Sequence, residues 1–140
     1  MNRRLWGLAI LLAGVLPLLA MAANPPRKAM RSFDQVHLAW ANAMRWGELE
    51  EREPFLSEQA LAGLDDFQRS RWAQVSISGC RERARALQPD GRLRVRAERS
   101  VVNVHTLAER SVVVDEYWTW SPEDRSWKLA SGLPDLWPEP

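Results

Sequence analysis

The chain has 140 residues, with 19 Lys and Arg against 18 Asp and Glu, a formal net charge of +1, two histidines and one cysteine. So even a balance gives no overall signature of nucleic-acid binding. A lone Cys80 leaves no intrachain disulfide to form, and this count of histidine and cysteine excludes a structural zinc site of Cys/His spacing. No glycine-rich loop of the kind that cradles phosphate occurs, so no cofactor is expected.

At the N-terminus, Asn2-Arg3-Arg4 forms a positive stretch, residues 5–19 an apolar one, and Ala20-Met21-Ala22 a small-residue cleavage site. Together they read as a Sec-type signal peptide cut after Ala22. The competing reading is an uncleaved anchor, but an apolar run of roughly 15 residues interrupted by Pro17 falls short of the roughly 20 that span a bilayer. The expected address is therefore periplasmic or secreted, with no stable membrane span after cleavage. About 118 residues remain, enough for one domain with its own core. The expected organisation is a signal over 1–22, a linker over 23–31, a single domain over 32–137 and a tail over 138–140.

Ser32 followed by Gln35 makes a capping box, and Phe33, Val36, Trp40, Ala43 and Met44 recur at helical spacing until Gly47. His37 lies beside that stripe and reads as a helix-boundary histidine or as a group reaching a pocket. From 48 to 71 the pattern weakens, and Phe55, Leu56, Leu61, Leu64 and Phe67 predict one or two short helices broken near Pro54 and Gly63. Beyond Arg71 the β-branched residues Val75, Ile77, Val95, Val101, Val102, Val104 and Val112 to Val114 predict strands near 72–87, 92–106, 111–121 and 126–133. Pro89-Asp90-Gly91 and Pro122-Glu123-Asp124 carry good turn chemistry, and Leu107-Ala108-Glu109 is a weaker third turn. The expected fold class is α+β: a long helix and short helices on an antiparallel meander of four or more strands. A parity change in the first strand at Gly79 predicts a β-bulge. Past it, Arg83 and Arg85 are expected to join Arg92, Arg94 and Arg96 in a basic outer ladder. This is either a solvated surface or a contact for an anionic or protein partner.

This order of elements, ending in Glu116-Tyr117-Trp118-Thr119-Trp120, a polar turn and Trp127-Lys128-Leu129, resembles the nuclear transport factor 2-like, cystatin-type α+β superfamily. The resemblance spans most of the chain after the signal. It implies a sheet curved around the long helix into a cone with a pocket, and frequent dimerisation through the sheet. Members include isomerases, dehydratases and cyclases as well as noncatalytic binding modules, so it does not fix an activity.

A last turn centred on Glu123-Asp124 sets Trp120 opposite Trp127 and Trp118 opposite Leu129, with Glu116 on the same face. A preceding turn centred on Ala108-Glu109 brings Arg99, Val101, Asn103 and His105 to that face. Arg99, Asn103, His105, Glu116, Trp118, Trp120 and Trp40 are therefore the ligand-binding candidates, for a small hydrophobic or aromatic ligand. Glu116 and His105 are the candidate acid–base residues. The structural alternative has Glu116 pairing with Arg99, and Asn103 and His105 satisfying backbone at a strand end. Val102, Val104, Val113 and Tyr117 make the opposite face fairly apolar, which would suit a homodimer across the sheet.

Overall fold

The computed structural model describes residues 24–138; the signal peptide expected over 1–22 lies outside them. The order is α1 (Arg27–Trp46), α2 (Leu49–Arg52), a 3-10 turn (Glu53–Phe55), α3 (Glu58–Ala62), α4 (Asp66–Ala73), then β1 (Val75–Leu87), β2 (Leu93–Asn103), β3 (Glu109–Ser121) and β4 (Ser126–Leu129). The four strands form one antiparallel sheet in sequential order, as expected of a meander, and it is not closed into a barrel.

Helix α1 begins earlier than Ser32. Pro26 occupies its N-cap with φ −63°, the angle the pyrrolidine ring fixes, so the proline starts the helix rather than holding it off. Part of the expected linker is therefore helix, with Ala29 buried, and the Ser32 hydroxyl donates to the Ala29 carbonyl instead of capping. The buried stripe is Ala29, Phe33, His37, Trp40 and Met44. His37 takes the inward place that periodicity assigned to Val36.

The C-terminus of α1 is closed by an arginine from the next helix. The Arg52 guanidinium donates to the carbonyls of Ala43, Met44 and Gly47 at 3.1, 3.0 and 2.9 Å and stacks on Trp72 at 4.9 Å. Carbonyls left over at a helix end carry partial negative charge, so a cation there satisfies both hydrogen bonding and the helix dipole. Gly47 serves this junction by its lack of bulk. A Cβ there would lie 2.7 Å from a Glu51 carboxylate oxygen and 2.8 Å from the Ala43 carbonyl.

The final hairpin has the expected register, Trp118 with Leu129 and Trp120 with Trp127. The Pro89-Asp90-Gly91 turn also forms, with Gly91 at φ +85° and the Asp90 carboxylate accepting the Arg92 backbone N–H at 3.0 Å. The β2–β3 connection differs from expectation. Its pairing sets Arg99 opposite Val112 and Val101 opposite Arg110, so the turn centres on His105-Thr106 rather than Ala108-Glu109. Asn103 drives this, because its side-chain oxygen accepts from the backbone N–H of His105 and Thr106 at 2.9 and 3.1 Å, an Asx turn that curls the chain early.

Strand β1 starts at Val75, since Trp72 belongs to α4. It carries the expected irregularity between Ile77 and Gly79 and a second one between Glu82 and Ala84. The second reverses the parity once more and breaks the basic ladder. Arg85 turns to the helix side, bonding Glu82 and Asp34 and lying 4.7 Å from the Phe33 ring. Arg83 pairs with Glu98, Arg94 and Arg96 with Asp115, and Arg92 with Asp90. The outer face is accordingly not the apolar surface expected. Val113 stands exposed among these ion pairs, Tyr117 lies under the Arg92 guanidinium, and Val104 belongs to the turn.

Helix α1 and the inner sheet face enclose the core. Phe33, Trp40, Trp118, Trp127, Leu93, Val95, Val101 and Leu129 are fully buried, each contributing roughly 1.5–3 kcal/mol or more by burial. Phe33 meets Trp118 and Trp127 edge-on at 5.6 and 5.3 Å, the favoured arrangement of ring quadrupoles. The Trp127 indole N–H donates to the Ala29 carbonyl at 2.8 Å.

Candidate functional site

Glu116 sits in the middle of β3 on the inner face and is 1% exposed. An ionised carboxylate only accepts hydrogen bonds, and here three donors converge on it. His37 Nε2 lies 3.0 Å from Oε1, so that nitrogen carries the hydrogen. The Trp40 indole donates to Oε2 at 2.7 Å and the Arg99 guanidinium to the same oxygen at 2.8 Å. His37 and Trp40 come from adjacent turns of α1, and Arg99 from β2, also 1% exposed. The helix thus supplies two partners and the sheet one.

Burial pushes the Glu116 carboxyl up, but the His37 hydrogen bond, the Arg99 charge and the Trp40 indole outweigh it. The group lies below the ordinary glutamate range. The second ring nitrogen of His37, Nδ1, lies 3.7 Å from Glu82 at the rim. There the Arg85 hydrogen bond holds the Glu82 carboxyl low against the opposing effect of burial. A line of polar contacts therefore runs inward from Arg85 through Glu82 and His37 to Glu116 and Arg99.

Of the residues singled out from sequence, Glu116, Arg99, Trp118 and Trp40 meet here. Glu116 and Arg99 pair as in the structural alternative. Trp118 packs edge-on against Trp40 at 6.0 Å and His37 at 5.9 Å. Trp120 is on the same face and meets Trp127 at 5.8 Å, nearer the sheet end. Asn103 and His105 do not join them: Asn103 builds the turn, and His105 is exposed within it. The steps along β3 from Glu109 to Glu116, at about 3.3 Å each, put on the order of 20 Å between that turn and the carboxylate. His37 as a direct partner and Glu82 as its second neighbour were missed by sequence reasoning. His37 was detectable, since it stands one turn after Phe33 and one before Trp40. Glu82 follows from the irregularity at Gly79, since it shares the parity of Cys80 and pairs with the buried Ala97, whereas the second irregularity, beyond it, turns Arg85 inward.

The network's chemistry is that of a satisfied buried ion pair. Two donors nevertheless lack an acceptor among the described residues, Nε of Arg99 and Nε1 of Trp118. Away from this centre, a cleft of about 310 Å³ lies between α4 and the segment from Leu133 to Trp137.

The fold and site define a class no finer than an α+β meander with a helix-covered inner face and a buried carboxylate cluster. Comparison with known proteins finds no match among family models, curated proteins or solved structures.

Proposed function

We propose that this chain is an exported, noncatalytic binding module of the cell envelope, taking a small ligand or a protein partner. The observation that carries the reading is the sequestration of Glu116, its best acid–base candidate. A general base must reach the proton it abstracts, whereas both Glu116 oxygens are held by His37, Trp40 and Arg99 under the cover of α1. His105, the other candidate, stands in an exposed turn. The sequence of residues 1–22 supports the exported address. The element order and aromatic last hairpin support a place in the nuclear transport factor 2-like superfamily, among its noncatalytic members.

Two measurements test this. Mass spectrometry of the periplasmic fraction is expected to find a chain beginning at Ala23. A thermal-shift screen of the purified protein against small apolar, acidic and basic compounds is expected to yield at least one that raises the midpoint by several degrees. Turnover in an isomerase or dehydratase assay, abolished by Glu116→Gln in a variant that remains folded, would overturn the noncatalytic reading.

A further inference from the structure

Helix α4 is polar along most of its length, Asp66, Gln68, Arg69, Ser70 and Arg71 among its residues, yet it holds one large aromatic ring outward. Phe67 is 68% exposed. It forms one wall of the 310 Å³ cleft, whose other apolar surfaces are Trp72, Val75, Leu133, Leu136 and Trp137. That volume lies at the small end of the range of small-molecule sites.

The opposite wall is fastened in place. The Trp72 indole N–H donates to the Pro134 carbonyl at 3.1 Å, and Arg71 bonds both Asp135 and the Trp137 carbonyl. Arg110 donates to the Pro138 carbonyl at 3.2 Å while its guanidinium stacks 3.9 Å from the Trp137 ring. Leu136 is buried beneath. A segment held by several directional contacts from α4 and β3 does not readily collapse to fill the space, so the cleft exists before any guest enters. Preformed walls reduce the ordering cost of binding.

The charges around the cleft are matched among themselves. Asp135 accepts from Arg71 and from the Trp137 backbone N–H, and Asp65 accepts from the Gln68 backbone N–H in the cap of α4. An ionic guest would have to compete with these partners. A neutral, flat one meets three aromatic side chains, Phe67, Trp72 and Trp137, with the Gln68 and Gln74 amides at the edge.

We propose that this cleft between α4 and the C-terminal segment is a binding site for a small, neutral, planar aromatic molecule. The proposal rests on the reading of the chain as a binding module and moves the ligand from the filled inner sheet face to the flank of α4.

The test uses N-phenyl-1-naphthylamine, a neutral fluorescent aromatic, titrated into the purified chain. Saturable one-to-one enhancement is expected. Phe67→Ser, which removes a wall, and Gln74→Trp, which fills the mouth, are each expected to weaken it at least ten-fold with little change in thermal midpoint, since both positions are exposed. Trp46→Ala, removing an exposed tryptophan elsewhere, is expected to leave it unchanged. Absence of saturable binding, or binding indifferent to both cleft variants, would overturn the site. So would a dimer in sedimentation that Phe67→Ser dissolves, which would assign the surface to a second copy. Loss of binding with Trp46→Ala alone would remove this site while leaving the binding-module reading intact. No response to the probe together with no hit in the thermal-shift screen would remove both.

Discussion

Replacing Glu116 by Gln keeps its shape and removes the charge that Arg99, His37 and Trp40 address. A buried guanidinium is then left without its counter-ion, which typically costs about 3–5 kcal/mol. Urea unfolding is expected to show a loss of that size, with Glu116→Leu combined with Arg99→Met recovering most of it. The same carboxylate sets an acid limit. Its folded pKa lies below its unfolded value, so the unfolded state binds more protons as pH falls, and stability declines through that window. The contribution is fully present above the unfolded value of about 4.3 and disappears below the folded one. Unfolding free energy measured between pH 5 and 2 is expected to fall, and the slope to flatten in Glu116→Gln. At this scale the sequence carried the Arg99 and Glu116 pairing, because an acid and a base among apolar neighbours of matching parity have few other fates. The convergence of His37 and Trp40 on the same carboxylate depends on how α1 is rotated over the sheet, which a single histidine beside an apolar stripe does not specify.

Among the elements, α1 depends on an arginine it does not contain. Arg52→Met retains the apolar stem over Trp72 but removes the guanidinium from the Met44 and Gly47 carbonyls and from that of Ala43, which keeps the Gly47 N–H. Hydrogen bonds from a charged donor are worth roughly 1.5–3 kcal/mol each, with much of that shared here through one side chain. A loss of about 2–3 kcal/mol is expected in urea unfolding, with faster amide exchange in the last turn of α1 as the local signature. The strands show where legibility stops. Trp118 to Leu129 was readable because a proline and two acids mark the last turn between alternating tryptophans. The β2–β3 turn was displaced because Asn103 captures two backbone donors through its side chain, a preference that outcompeted the later Leu107-Ala108-Glu109 sequence. Moving the turn centre from between 108 and 109 to between 105 and 106 shifts the pairing by twice that distance, an even number of residues, so every side chain kept its face, and Arg99 still reaches Glu116. The Arg-rich end of β1 had no such protection. With charged residues on both faces there is no apolar alternation to fix the parity, so the second irregularity left no trace in the pattern. The early start of α1 was masked by an attractive capping box at Ser32, although Pro26 offered a better beginning.

For the molecule as a whole, the charged outer face of the sheet sets a prediction about association. Arg94, Arg96 and Asp115 pair across β2 and β3 in the open, and exposed ion pairs contribute little to stability, commonly under about 1 kcal/mol. Reversing Arg96 to Glu is therefore expected to change the unfolding free energy by less than about 1 kcal/mol. If this surface joins two copies, sedimentation of the same variant will show a lower association state. The tie between Trp127 and Ala29 has a different reach. It joins residues 98 positions apart, one in the opening turns of α1 and the other in the last strand, and contacts so distant in sequence slow folding because loop entropy is lost before the contact forms. A chain ending at Ser121 is expected to show no cooperative unfolding by circular dichroism. While the polypeptide emerges from the ribosome, α1 is made before β4, so the opening turns of the helix lack the Trp127 tie until residues 126–129 have left the exit tunnel.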